Sequence, residues 1–102
     1  MSVIVVTGHI RVRPDKMEEL RPHMRAVLEA TRKETGCILY AFGEDVLDPG
    51  LIRIVERWRD WDVLAVHGQA PHMQPWRDAI KAIGGTLSRE VTAHETGKEK
   101  AL

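Results

Sequence analysis

The sequence predicts a single α+β domain in the order β-α-β-β-α-β, with a four-stranded antiparallel sheet and its helices on one face. Three observations predict it. Apolar and polar residues alternate from Ile4 to Val12, a 3-and-4 apolar spacing begins at Met17, and Asp48-Pro49-Gly50 separates two strand-like runs. The order contains no repeat, linker or low-complexity tract that would divide it. Residues 1–96 are read as the domain and residues 97–102 as a polar C-terminal tail.

In the first strand Ile4, Val6, Ile10 and Val12 share one face, and Thr7, His9 and Arg11 the other. Gly8 falls on the apolar face, where a missing side chain either relaxes the strand into a bulge or leaves room for something to approach. Arg13-Pro14-Asp15 ends the strand and opens a helix, because proline suits a first turn and aspartate the positive N-terminal end. The helix carries Met17, Leu20, Met24, Val27 and Leu28 as one stripe that continues to Thr31, and Gly36 supplies its stop. Pro22 inside it would clash with the Glu18 carbonyl, which predicts a kink or restart near residues 20–21.

Residues 37–47 and 51–59 read as a β-hairpin. In its second strand Ile52, Ile54, Glu56 and Trp58 share a face, so a carboxylate stands in an apolar row, while Arg53, Val55, Arg57 and Arg59 point the other way. Asp60 is an N-cap for a short helix ending near Gly68-Gln69. Pro71 restarts a helix with Met73, Trp76, Ile80 and Ile83, which Gly84-Gly85 ends, and residues 86–95 form the last strand. The second face of such a sheet needs a cover. Val3, Val5, Val55, Val91 and the arginines are its candidate residues, and a second copy packed there as a symmetric dimer is the simplest cover.

Composition narrows the functions. The 15 basic and 15 acidic residues cancel and are spread along the chain, which leaves no electrostatic footprint for nucleic acid. Cys37 is the lone cysteine, so no intramolecular disulfide and no C-x-x-C site can form. The apolar run at residues 3–6 is too short for a signal segment or a membrane span, and the expected compartment is cytoplasmic. No G-x-G-x-x-G, Walker loop or G-x-S-x-G occurs, so nucleotide cofactors and a hydrolase nucleophile elbow lack support.

Four features can carry chemistry, and each has an ordinary reading beside the functional one. Glu56 beside Trp58 is either a partner that orients a histidine or a carboxylate near the strand end that reaches solvent or caps a neighbouring helix. His67 and His72 flank the break at residues 68–71 and are not an i, i+4 zinc pair, and no Asp, Glu or Cys cluster nearby completes a ligand set, so no metal site is expected. Without analogy they read as surface histidines at a helix junction; with a carboxylate neighbour, either could act as a base. Trp58, Trp61 and Trp76 either line a pocket for a flat ligand or pack in the core. His9 reads as a sheet-surface or interface residue, and Cys37 as an inert core residue.

The stretch Glu34-Thr35-Gly36-Cys37-Ile38-Leu39-Tyr40, the Glu56-Arg57-Trp58 strand, His67 and Pro71-His72-Met73 together resemble the antibiotic biosynthesis monooxygenase family, and its quinol monooxygenase branch most. The resemblance covers about residues 3–95. It implies a ferredoxin-like fold that dimerises as an α/β barrel, with a pocket between sheet and helices. It also implies oxygenation of a quinol or polycyclic phenol by O2 with no flavin, haem or metal cofactor. On this likeness the catalytic residues are His67 or His72 as base with Glu56 as the neighbour, and Trp58, Trp76, His9 and Tyr40 contact the substrate. Haem-degrading relatives carry an Asn, a Trp and an axial His where this chain has Gly8, His67 and Arg77, which departs from that activity. Two other readings fit the same residues: a dimeric module that binds a small molecule without transforming it, and an isomerase on the same fold.

Overall fold

A computed structural model describes residues 2–102. Its elements are β1 (Ile4–Arg11), a 3-10 turn (Pro14–Lys16), α1 (Met17–Thr31), β2 (Cys37–Glu44), β3 (Leu51–Trp58), α2 (Trp61–Gly68), α3 (Met73–Ala82) and β4 (Ser88–Glu95). The four strands form one antiparallel sheet in the order β2-β3-β1-β4, so the two strands central to the sheet are those with the cleanest apolar alternation. This is the ferredoxin-like α+β arrangement that the sequence predicts. Within one chain the sheet is open and does not close into a barrel.

Register decides which side chains meet the helices. Ile4, Val6 and Ile10 lie opposite Trp58, Glu56 and Ile52, and Tyr40 and Phe42 opposite Glu56 and Ile54. This face packs on α1 and α3 through Leu20, Met24, Val27, Met73, Trp76 and Ile83. Ile4, Leu20, Ile52 and Trp58 are essentially sealed from solvent. Burial of each such side chain stabilises the fold by roughly 1.5–3 kcal/mol.

Gly8 shows why β4 can pair with β1 at all. Its φ is +153°, and a Cβ built there would fall 1.9 Å from the carbonyl oxygen of Glu90. The approaching object is therefore the β4 backbone, and glycine is required at the contact. Val91 lies opposite Gly8 and packs against the core on the helix side. This corrects its expected place on the outer face; β4 is an edge strand whose pattern is weak because little covers it.

Two expectations for α1 also change. No restart interrupts it at Pro22, which is exposed, as is Glu18, so the carbonyl freed by proline can turn to water. The irregularity falls earlier, in the 3-10 turn at Pro14. The helix ends at Thr31, and Gly36 follows an intervening turn at φ +82°. Asp60 caps α2 as expected, its Oδ1 accepting from the Val63 amide at 2.9 Å. Among the described residues no helix is long and apolar enough to cross a membrane.

Candidate active site

A cavity of about 330 Å³ lies between the sheet and α2–α3. Its floor comes from the inward row of the sheet, Val6, Ile10, Ile54 and Glu56 with Tyr40 and Phe42, and its roof from Leu64, His67, Met73, Trp76 and Ile80. Arg77 and Arg89 stand among its walls, together with Val91 and Ala93 of β4. Such a size and an apolar, aromatic lining with a few polar groups suit a small flat molecule.

His67 is the titratable group built most firmly into this wall. It is 6% exposed, against its expected place as a surface residue at a helix junction, because α2 turns its last residues onto β2 and β3. The ring lies 4.7 Å from that of Trp58 and meets the Tyr40 edge at 5.2 Å. Its Nδ1 is 2.7 Å from Oε2 of Glu34, which arrives from the loop between α1 and β2. A carboxylate only accepts, so Nδ1 carries the hydrogen and Nε2 is the ring nitrogen left for a bound molecule.

The same Glu34 oxygen lies 3.0 Å from Nε2 of His72, and Thr31 Oγ1 lies 3.1 Å from that nitrogen. His72 faces a shallow outer hollow with Glu34 and does not line the main cavity. Glu34 is the residue that sequence reasoning missed. It supplies the carboxylate said to be lacking beside the two histidines, and it takes the position at His67 that was expected of Glu56.

Glu56 instead accepts from Trp58 Nε1 at 2.8 Å. It is 7% exposed, and burial pushes its carboxyl above the usual range, with the Trp58 hydrogen bond and His67 acting in the opposite sense. Burial likewise raises the Tyr40 hydroxyl strongly, so it stays protonated as a donor. The Cys37 thiol is also raised by burial, in keeping with an unreactive cysteine.

Of the remaining candidates, Tyr40 and Trp76 line the cavity, and Phe42 joins them by packing 5.1 Å from Tyr40 and 5.7 Å from Trp76. Trp58 is fully buried and acts from behind, through His67 and Glu56. His9 pairs with Arg53 and Glu90 on the outer face of the sheet, because it alternates with inward Ile10, and so does not reach the cavity. Trp61 is half exposed and donates to Glu95 Oε1 at 2.9 Å, tying α2 to the end of β4.

Fold and site together define a small ferredoxin-like α+β protein in which a histidine in the wall of an aromatic pocket is backed by a carboxylate. The profile of the family described as antibiotic biosynthesis monooxygenase matches residues 3–79, and the chain belongs to that family. The uncharacterized protein sll1783 of Synechocystis is 41% identical over 69 residues, covering 68% of this chain and 47% of that protein, so this chain spans about half of that relative's length. The Bacillus subtilis protein YcnE, assigned as a monooxygenase, is 28% identical over 72 residues, 71% of this chain and 76% of that one. A crystal structure of a Deinococcus radiodurans protein assigned as an antibiotic biosynthesis monooxygenase superposes with a TM-score of 0.86 at 27% identity, covering 97% of each chain.

Proposed function

We propose that the chain is a cofactor-independent monooxygenase that oxidises a quinol or polycyclic phenol with O2. The observation that carries this reading is His67 in the wall of an aromatic cavity with the Glu34 carboxylate behind it at 2.7 Å. His67 Nε2 takes the proton of a substrate hydroxyl, and Glu34 stabilises the imidazolium that forms. The electron-rich anion passes an electron to O2, and the apolar walls hold the radical pair until carbon and oxygen combine. For a quinol the balance closes without an added reductant. One oxygen atom enters the ring, the other leaves as water, and the quinol becomes a hydroxyquinone.

The outer sheet face supports a homodimer, as part of the same proposal. Leu39 and Val55 are 38% and 37% exposed there, beside Val5 and Ala41, and a second copy would cover them. His9 then lies at that interface.

The test is O2 uptake with a menadiol-like quinol by metal-free protein, measured above the substrate's own autoxidation. Turnover that His67→Ala removes is expected. Saturable quenching of tryptophan fluorescence with no O2 uptake makes the chain a binding module, and conversion of a substrate without O2 makes it an isomerase.

A further inference from the structure

We propose that Glu34, His67 and His72 form a binding site for a divalent first-row ion of the Zn2+ type. Glu34 Oε2 lies 2.7 Å from His67 Nδ1 and 3.0 Å from His72 Nε2, and the three ligand atoms all lie within 4.8 Å of one another. Two imidazoles and a carboxylate are the donor set that holds such an ion with a position left over. Bonds of about 2.0–2.2 Å in a tetrahedral arrangement place ligand atoms about 3.4 Å apart, so Glu34 Oε2 need draw back from each nitrogen by less than about 1 Å while the two nitrogens, within 4.8 Å of each other, settle to the same spacing.

The surroundings suit an ion as well. The three side chains come from the α1–β2 loop, from α2 and from the turn before α3, and the tertiary fold already brings their donor atoms together. Glu34 and His72 open on the outer hollow beside Val66, Gln69 and Pro71, which gives an ion a route in and a water a place on it. Thr31 Oγ1, 3.1 Å from His72 Nε2, gives up that contact when the nitrogen takes the ion. With neutral imidazoles the ion displaces no net proton: the His67 hydrogen moves from Nδ1 to Nε2, and that of His72 from Nε2 to Nδ1.

That tautomer change deepens the proposed function, on which this one consequence rests. His67 with a metal on Nδ1 presents a donor to the cavity where it had presented a base, so the loaded protein stops oxidising quinol and a chelator restores it.

The experiment titrates Co2+ into the chelator-stripped chain and follows its visible d–d absorption, with Zn2+ as the displacing ion. One equivalent per chain is expected. Glu34→Gln and His72→Ala should weaken it by more than about 100-fold, since even outer partners of metal ligands are worth about 10–100-fold. The exposed histidine variants His23→Ala and His94→Ala should bind as the parent does. Circular dichroism of each variant separates loss of the site from loss of the fold. No one-to-one Co2+ signal in the parent, or a signal that survives both Glu34→Gln and His72→Ala, overturns the site. Quinol turnover by the stripped protein is read separately: a bound ion with no turnover leaves the site standing and removes the monooxygenase reading, while turnover with no bound ion does the reverse.

Discussion

Glu34 Oε2 meets Nδ1 of His67 at 2.7 Å although 33 positions separate the two residues. The contact fixes the imidazole tautomer and aims its other nitrogen away from the carboxylate. If His67 is the base, His67→Ala should lower the rate of quinol oxidation by about 10²–10⁴-fold. Glu34→Gln, which keeps an acceptor but loses the charge that orients the imidazole, should lower it by up to about 10⁴-fold. Oxygen-electrode rates corrected for autoxidation check both; an unchanged rate in His67→Ala ends its candidacy.

Glu56 offers a stability test by pH. Burial raises its carboxyl pKa above the ordinary 4.5, so the folded state holds the proton more tightly than the unfolded state does. The sign follows: stability is unaffected below the unfolded value and falls as pH rises from there through the folded value. Glu56→Gln keeps an oxygen for the Trp58 N–H and removes the ionisation. Its stability relative to the parent should therefore grow as pH rises from 4.5 toward neutrality in a series of urea unfolding curves. Parallel pH profiles for the two proteins would contradict this.

Gly8→Ala places a methyl group where the Glu90 carbonyl oxygen stands, at a φ of +153°. Relief requires β4 to move from β1. A loss of about 2–4 kcal/mol is expected by chemical denaturation, with amide exchange of residues 88–95 accelerating first.

Val55→Asp sets a charge in the middle of the outer sheet face, opposite Thr7 and away from the cavity. Sedimentation velocity should find the parent as a dimer and this variant as a monomer with an unchanged far-ultraviolet spectrum. A parent that sediments as a monomer removes the dimer proposal.

Much of the fold is written in local periodicity. Ile4, Val6, Ile10, Ile52 and Trp58 fall on one face by counting in twos, and Leu20, Met24 and Val27 by counting in threes and fours, because burial imposes those intervals. The same count puts Glu56 in an apolar row and His9 on the outside. Glu34 was not legible this way. It lies in the polar run Arg32-Lys33-Glu34-Thr35, which reads as a solvated loop, and only closure of the chain over 33 and 38 positions brings it to His67 and His72. Glu34's place at the head of the stretch that ends in Tyr40 was its one signal. Gly8 shows a different limit, since a missing side chain marks a close approach without saying what approaches.

Gly36 touches α2 so closely that a Cβ there would lie 2.8 Å from Val63 methyl carbons. The loop carrying Glu34 is thereby packed against the Val63 side chain of the helix carrying His67, and the spacing of the pair is set by how closely loop and helix pack. A pair held by such packing needs no rebuilding for a molecule to enter or leave the cavity, and under the proposed function each substrate meets the same ring nitrogen in the same place.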